Sequence, residues 1–160
     1  MRHARQSGLA ATDHERPLTD EGHDQAHTVG ARLAAADLRP DRVKTSTALR
    51  CRETLSGIEA ALGRSLATDL EPELYNASPD QILSVLAGTD ETADTVLVVA
   101  HNPGISLCAL ALAGGREAER ERLQRGFSPA TIAVFEVEGA WSTVAARNVR
   151  LQRFEAPDGS

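Results

Sequence analysis

Residues 95–100, TVLVVA, offer almost nothing polar, and they stop abruptly at His101-Asn102-Pro103-Gly104. A continuous, largely β-branched run of this length fits a central strand covered on both faces, not one face turned to water. The chain must therefore supply helices for two sides of a sheet. Its composition suits that demand: 41% of residues are hydrophobic but only 3% aromatic, so the core is built from Ala, Leu and Val. At 160 residues there is enough chain for one domain with a real core.

The remaining segments alternate accordingly. After a polar loop over 7–18, Thr19 can cap a helix whose first turn carries Asp20 and Glu21, where the helix dipole favours acids. Ala26, Val29, Gly30 and Leu33 recur at helical spacing as its buried stripe, and the helix ends by Pro40. RVKTS (42–46) reads as a short strand. A second helix starts at Thr47, with Leu49, Leu55, Ile58 and Leu62 as its apolar face. After an irregular acidic stretch, DLEPELYNAS, Ser78-Pro79 reads as N-cap and first residue of a helix to about Leu86. An apolar helix, ISLCALALA, follows the TVLVVA strand, and residues 116–125 are a charge-dense helix or loop. TIAVFEVE and the stretch from Ser142 to about Arg153 flank Gly139-Ala140 as an antiparallel hairpin. The expected fold is α/β: a three-layer sandwich with a mixed, mostly parallel central sheet and helices on both faces. Residues 1–154 are expected to form one domain and 155–160 a frayed tail.

Charge narrows the possible partners. Lys and Arg number 17 against 23 Asp and Glu, a net charge of −6, which argues against nucleic acid or anionic membrane as a partner. No run reaches the ~20 apolar residues of a membrane span, and no secretory signal pattern opens the sequence. The two cysteines, Cys51 and Cys108, have neither disulfide nor metal spacing, so a reduced, cytoplasmic protein is expected.

Candidate chemistry gathers at a few points. His101 follows the strongest strand, and ligands in open α/β sheets collect at the carboxyl ends of strands. Arg50 lies in the first turn of a helix after TSTAL, where free backbone N–H groups already favour an anion. Arg2 and His3 open the chain. Read singly, each is as well explained by a surface or terminal role.

Read together, three stretches resemble the histidine phosphatase superfamily: MRHA at the start, RPLTDEG with STALRCRET in the middle, and VLVVAHNPG later. The small size, RHA in place of RHG, and the RPLT and ELYNASP segments look most like its SixA-type phosphohistidine phosphatase branch. The resemblance implies that His3 is a nucleophile attacking as the neutral imidazole to give a phosphohistidine intermediate. Arg2 and Arg50 would clamp the phosphoryl oxygens, a protonated His101 would complete the pocket, and Arg16 would touch substrate at the rim. Arginine suits this role because its planar fork bonds two oxygens and stays charged. No metal and no cofactor enter that scheme. The implied partner is a phosphohistidine-bearing protein such as a histidine phosphotransfer domain, and the protein is expected to be a monomer.

Two departures from the family bear on function. Where many members carry a carboxylic acid for an alkoxide leaving group, this chain has Asn76, with Glu71 and Glu73 nearby. A phosphohistidine leaves more easily than a phosphoester and needs less acid assistance. Secondly, Met1 stands directly before Arg2, so the family's apolar first strand is expected to be missing. The alternatives are a general small-molecule phosphomonoesterase of the same superfamily, or a truncated, non-catalytic phosphate-binding domain. His23 and His27 stand four apart on the first helix but lack a third ligand or a metalloprotease Glu. A cysteine phosphatase needs Arg six residues after its Cys, where this chain has Gly57 and Gly114.

Overall fold

The computed structural model describes residues 1–157. Five helices and five strands alternate along it: α1 (Asp20–Ala35), β1 (Arg42–Thr45), α2 (Leu49–Leu62), β2 (Thr68–Leu70), α3 (Pro79–Ala87), β3 (Val96–Val99), α4 (Gly104–Ala113), α5 (Glu117–Gln124), β4 (Ile132–Val137) and β5 (Val149–Glu155). The fold is α/β, with a parallel sheet in the order β2-β1-β3 flanked by helices.

The period of two along β3 sorts the core. Leu97 and Val99 pack with α1 and α2 residues such as Val29, Leu33, Leu55 and Ile58. Val98 and Ala100 belong to the opposite cluster with Ile82, Ile105, Ala109 and Leu112 of α3 and α4. Each face of one strand thus feeds a separate apolar layer, as the sequence of TVLVVA requires. On the first side α1 and α2 come very close: a Cβ on Gly30 would stand 2.7 Å from both the Ala61 Cβ and the Ile58 carbonyl oxygen.

Local capping signals are realised at two of the five helix starts. Thr19 Oγ1 accepts from the Gly22 N–H. Ser78 and Gln81 close a reciprocal capping box at α3. The second helix begins one residue later than expected, with Ala48 rather than Thr47 at its N-cap and no side-chain cap. Leu123 is the buried anchor of the otherwise charged α5.

Details of the strands and the tail differ from the sequence expectation. β3 is an edge strand of the three-stranded sheet, and β1 is central. The single mixed sheet is realised as two ladders, the parallel one and the antiparallel β4–β5 pair. Residues 1–4 link them: Ala100 N–H donates to Met1 O, His3 N–H to Ala100 O, Arg2 N–H to Thr131 O and Ala130 N–H to His3 O. The expected loss of the first strand thus becomes a single parallel bridge, Arg2 to Ala100. Below it, between β3 and β4, lies an apolar slot of about 630 Å³ lined by Val96, Val98, Ala133 and Phe135 among others. The last strand starts at Val149, not Ser142. Residues 141–143 and 146–148 form 3₁₀ turns, pinned by Glu91 accepting from the Trp141 and Ser142 N–H groups and by Trp141 Nε1–H donating to Ala93 O. Finally, residues 155–157 are not frayed: Glu155 ends β5, Ala156 is buried, and Arg32 donates to the carbonyls of Ala156 and Pro157. Residues 158–160 of the expected tail lie outside the described residues.

Candidate active site

The carboxyl ends of β1 and β3 and the bridge at Arg2 bring four sequence candidates to one place. His3 and His101 are both buried, with ring centroids 5.1 Å apart. Arg50 is buried in the first turn of α2, and its Nε–H donates to His101 Nδ1 at 3.3 Å. Arg2 leaves the bridge with Nη1–H donating to Phe127 O at 2.7 Å, and its buried Nε has no acceptor.

The protonation of His3 follows from its partner. Its Nδ1 lies 2.7 Å from the Ala4 carbonyl oxygen, which can only accept, so Nδ1 carries the proton and Nε2 keeps its lone pair. Burial, followed by the Arg50 and Arg2 charges, depresses its pKa to about 4 against the pull of the carbonyl. The imidazole is neutral at physiological pH. Its position is fixed by neighbours in α2: Ala4 N–H donates to Thr54 Oγ1, which in turn donates to Arg50 O.

His101 departs from the sequence expectation of a protonated ring. Arg50 Nε–H points at Nδ1, which must therefore present a lone pair, leaving Nε2–H to donate to Ser46 Oγ at 2.8 Å. Burial first, then the charges of Arg50 and His3, lowers its pKa to about 3. In the unliganded pocket His101 is a neutral, oriented donor. The positive charge resides on the arginines, which an acidic protein has concentrated here.

The mouth of the pocket contains groups that sequence reasoning missed. Asp13 reaches Arg50 twice, its carbonyl oxygen accepting from Nη1 at 2.6 Å and Oδ2 from Nη2 at 3.0 Å. Tyr75 Oη–H donates to the same Oδ2 at 2.7 Å. The Tyr75 ring stands edge-on to both His14 and His101, at 5.1 and 5.4 Å. Arg16, expected at the rim, ion-pairs with Asp13 Oδ1 at 3.4 Å. The hydrogen bond from Tyr75 and the cation of Arg50 hold the Asp13 carboxyl below its usual range, so it is ionised. The available signal was that Asp13 stands three residues before RPLT and that Tyr75 is the sole tyrosine in an aromatic-poor chain.

None of the carboxyls near ELYNASP is offered as an acid. Glu71 accepts from Lys44 Nζ at 2.8 Å, and Glu73 and Asn76 are exposed. Asn76 has φ 54°, a left-handed conformation that asparagine tolerates well, so backbone geometry alone accounts for its side chain. His23 and His27 are exposed on α1, and no cluster of three or more His, Cys, Asp or Glu with metal-binding geometry occurs among the described residues. No helix among the described residues is long and apolar enough to cross a membrane. Cys51 and Cys108 are both free and buried.

A parallel-sheet fold with a histidine pair and arginines at the strand ends is the arrangement of the histidine phosphatases. A profile of that superfamily (branch 1) matches residues 1–81. An uncharacterized protein of Mycobacterium leprae is 33% identical, over 98% of this chain and 99% of its own length. The phosphohistidine phosphatase SixA of Escherichia coli is 30% identical over 72% of this chain and 73% of its own. A solved structure bearing the SixA name, from Nakamurella multipartitia, superposes with a TM-score of 0.83 at 35% identity, covering 98% of this chain and 93% of that one. The chain belongs to the histidine phosphatase superfamily, and within it resembles the SixA-type members.

Proposed function

We propose that this protein is a phosphohistidine phosphatase that removes the phosphoryl group from a histidine of another protein through a covalent intermediate on His3. The observation that carries this reading is the state of His3: a neutral imidazole with its proton held on Nδ1 by Ala4 O and its Nε2 free, beside Arg50 and 5.1 Å from His101. A nucleophile needs such a lone pair already in place. The unpartnered Nε–H of Arg2 and the Arg50 guanidinium supply donors for phosphoryl oxygens, whose charge grows in the transition state. A phosphoryl dianion beside His101 favours its protonation, so the ring that rests neutral can become a second charged donor when substrate binds.

The substrate class follows from the leaving group. The pocket offers no carboxylic acid to protonate a departing alkoxide, since Glu71 is paired with Lys44. A phosphoryl group on imidazole does not need one. Water then cleaves the P–N bond on His3 and restores the neutral ring. The reading routes the reaction through side chains alone, with a phosphohistidine-bearing protein such as a histidine phosphotransfer domain as the partner.

The test compares phosphate release from a phosphohistidine protein and from sugar phosphates. Faster turnover of the phosphohistidine protein is expected, and His3→Ala abolishes turnover and acid-labile phosphoenzyme while the domain stays folded. Preference for sugar phosphates would replace this reading with a general phosphomonoesterase. A folded protein that binds phosphate without turnover would replace it with a binding domain.

A further inference from the structure

In an in-line transfer the leaving group lies opposite the nucleophile, so with His3 at the floor of the pocket the departing atom faces the mouth. What stands at that mouth carries negative charge. Bonded directly to the clamp arginine is an anion, Asp13, with its side chain 46% exposed toward solvent. It is fixed from two sides, by Arg50 Nη2 at 3.0 Å and by Tyr75 Oη at 2.7 Å. The Tyr75 ring and His14 stand beside it as aromatic edges. Asp13 is ionised, so it cannot act as an acid, and an alkoxide forming next to it would be repelled. A leaving group that carries an N–H and positive charge would be attracted instead.

We infer that Asp13, held by Tyr75 and Arg50, is the residue by which the pocket selects an imidazole-borne phosphoryl group, its carboxylate accepting the N–H of the distal ring nitrogen of the leaving phosphoimidazole. This rests on the phosphohistidine reading above and adds to it the element that discriminates between leaving groups. The chemistry balances as an exchange between two imidazoles. The substrate ring enters as a phosphoimidazolium with a proton on its distal nitrogen. The bond between phosphorus and the proximal nitrogen breaks, its electron pair stays on that nitrogen, and the ring departs as neutral imidazole whose distal N–H still donates to the Asp13 carboxylate. The His3 Nε2 lone pair forms the new P–N bond, and His3 becomes the phosphoimidazolium whose Nδ1–H still donates to Ala4 O. Asp13 thus does for the substrate ring what the Ala4 carbonyl does for His3. Each keeps a proton on the far nitrogen, so that the near one reacts or departs as the neutral ring.

The experiment measures kcat/KM of wild type, Asp13→Asn and Tyr75→Phe on phosphoimidazole and on p-nitrophenyl phosphate, whose leaving group has no N–H. A charge-assisted hydrogen bond at the leaving ring predicts that Asp13→Asn loses roughly 10- to 100-fold on phosphoimidazole. On the aryl phosphate it should lose less than about 3-fold, because that transition state never made the bond. Tyr75→Phe should show the same selectivity at smaller size. Equal losses on both substrates would overturn the inference, because they would mean that Asp13 merely orients Arg50. If wild type itself prefers the aryl phosphate, the phosphohistidine reading fails and this inference with it. If wild type prefers phosphoimidazole while Asp13→Asn loses equally on both, only the inference fails.

Discussion

Lowering the pH from 7 to 5 should strongly destabilise this protein, and the reason lies in two buried imidazoles. His3 and His101 are each about 95% buried and hold folded pKa values near 4 and 3, against 6.5 for a free imidazole. Above the unfolded pKa both states hold the base neutral and nothing is lost. As the pH falls below it, the unfolded chain takes up a proton that the folded one refuses, and stability drops until the folded pKa is reached. Between pH 7 and 5 each imidazole therefore removes about 2 kcal/mol, roughly 4 kcal/mol together. Set against the ~5–15 kcal/mol of a typical domain, that is a large share. Urea unfolding followed by circular dichroism at pH 8, 7, 6 and 5 measures it. The midpoint should fall by about one molar or more, given slopes of ~1–3 kcal/mol/M. His3→Ala should remove one proton from the slope of stability against pH. A midpoint at pH 5 within about 0.5 M of that at pH 7 would refute the reasoning.

Other outcomes follow from the packing around the pocket. Thr54→Val leaves the Ala4 N–H without its acceptor, which should cost about 1–3 kcal/mol in urea unfolding and lower kcat, because Ala4 in turn holds His3. Gly104→Ala drives a Cβ into the Ala77 carbonyl oxygen at the start of α4, so thermal melting should show a loss of ~3 kcal/mol or more. Ser78→Ala breaks the capping box of α3 and should cost about 1 kcal/mol without altering kcat.

Most of the architecture was legible because its signals are local. Thr19 and Ser78-Pro79 mark helix starts through their own side chains, and TVLVVA states its two-sided burial in six residues. The rank of β3 in the sheet was not legible. Whether a strand is central or at an edge depends on what pairs beyond it, and that is decided by residues 1–4 and 130–131, distant in sequence. The site divides the same way. His3, Arg50 and His101 could be found because each has a position near a strand end or a motif around it. Asp13 and Tyr75 lie in irregular segments 62 residues apart and meet only over Arg50, so no periodicity points to them. The resting orientation of His101 was not legible for a related reason: it is set by the direction of the Arg50 Nε–H, which sequence does not encode visibly.

The bridge formed by residues 1–4 has a mechanical consequence. The polar links between the parallel ladder and the hairpin include those backbone bonds and Phe127 O, which accepts from both Arg2 and Asn102. The pocket lies across that seam, with Arg50 and His101 on the parallel side and Arg2 and His3 on the bridge itself. An oxyanion gripped by all four would add a tie across this seam to the apolar packing of Ile132 against α1 and of Val149 and Leu151 against α4. Filling the pocket should therefore slow amide exchange in residues 1–4 and 130–131 more than elsewhere in the hairpin.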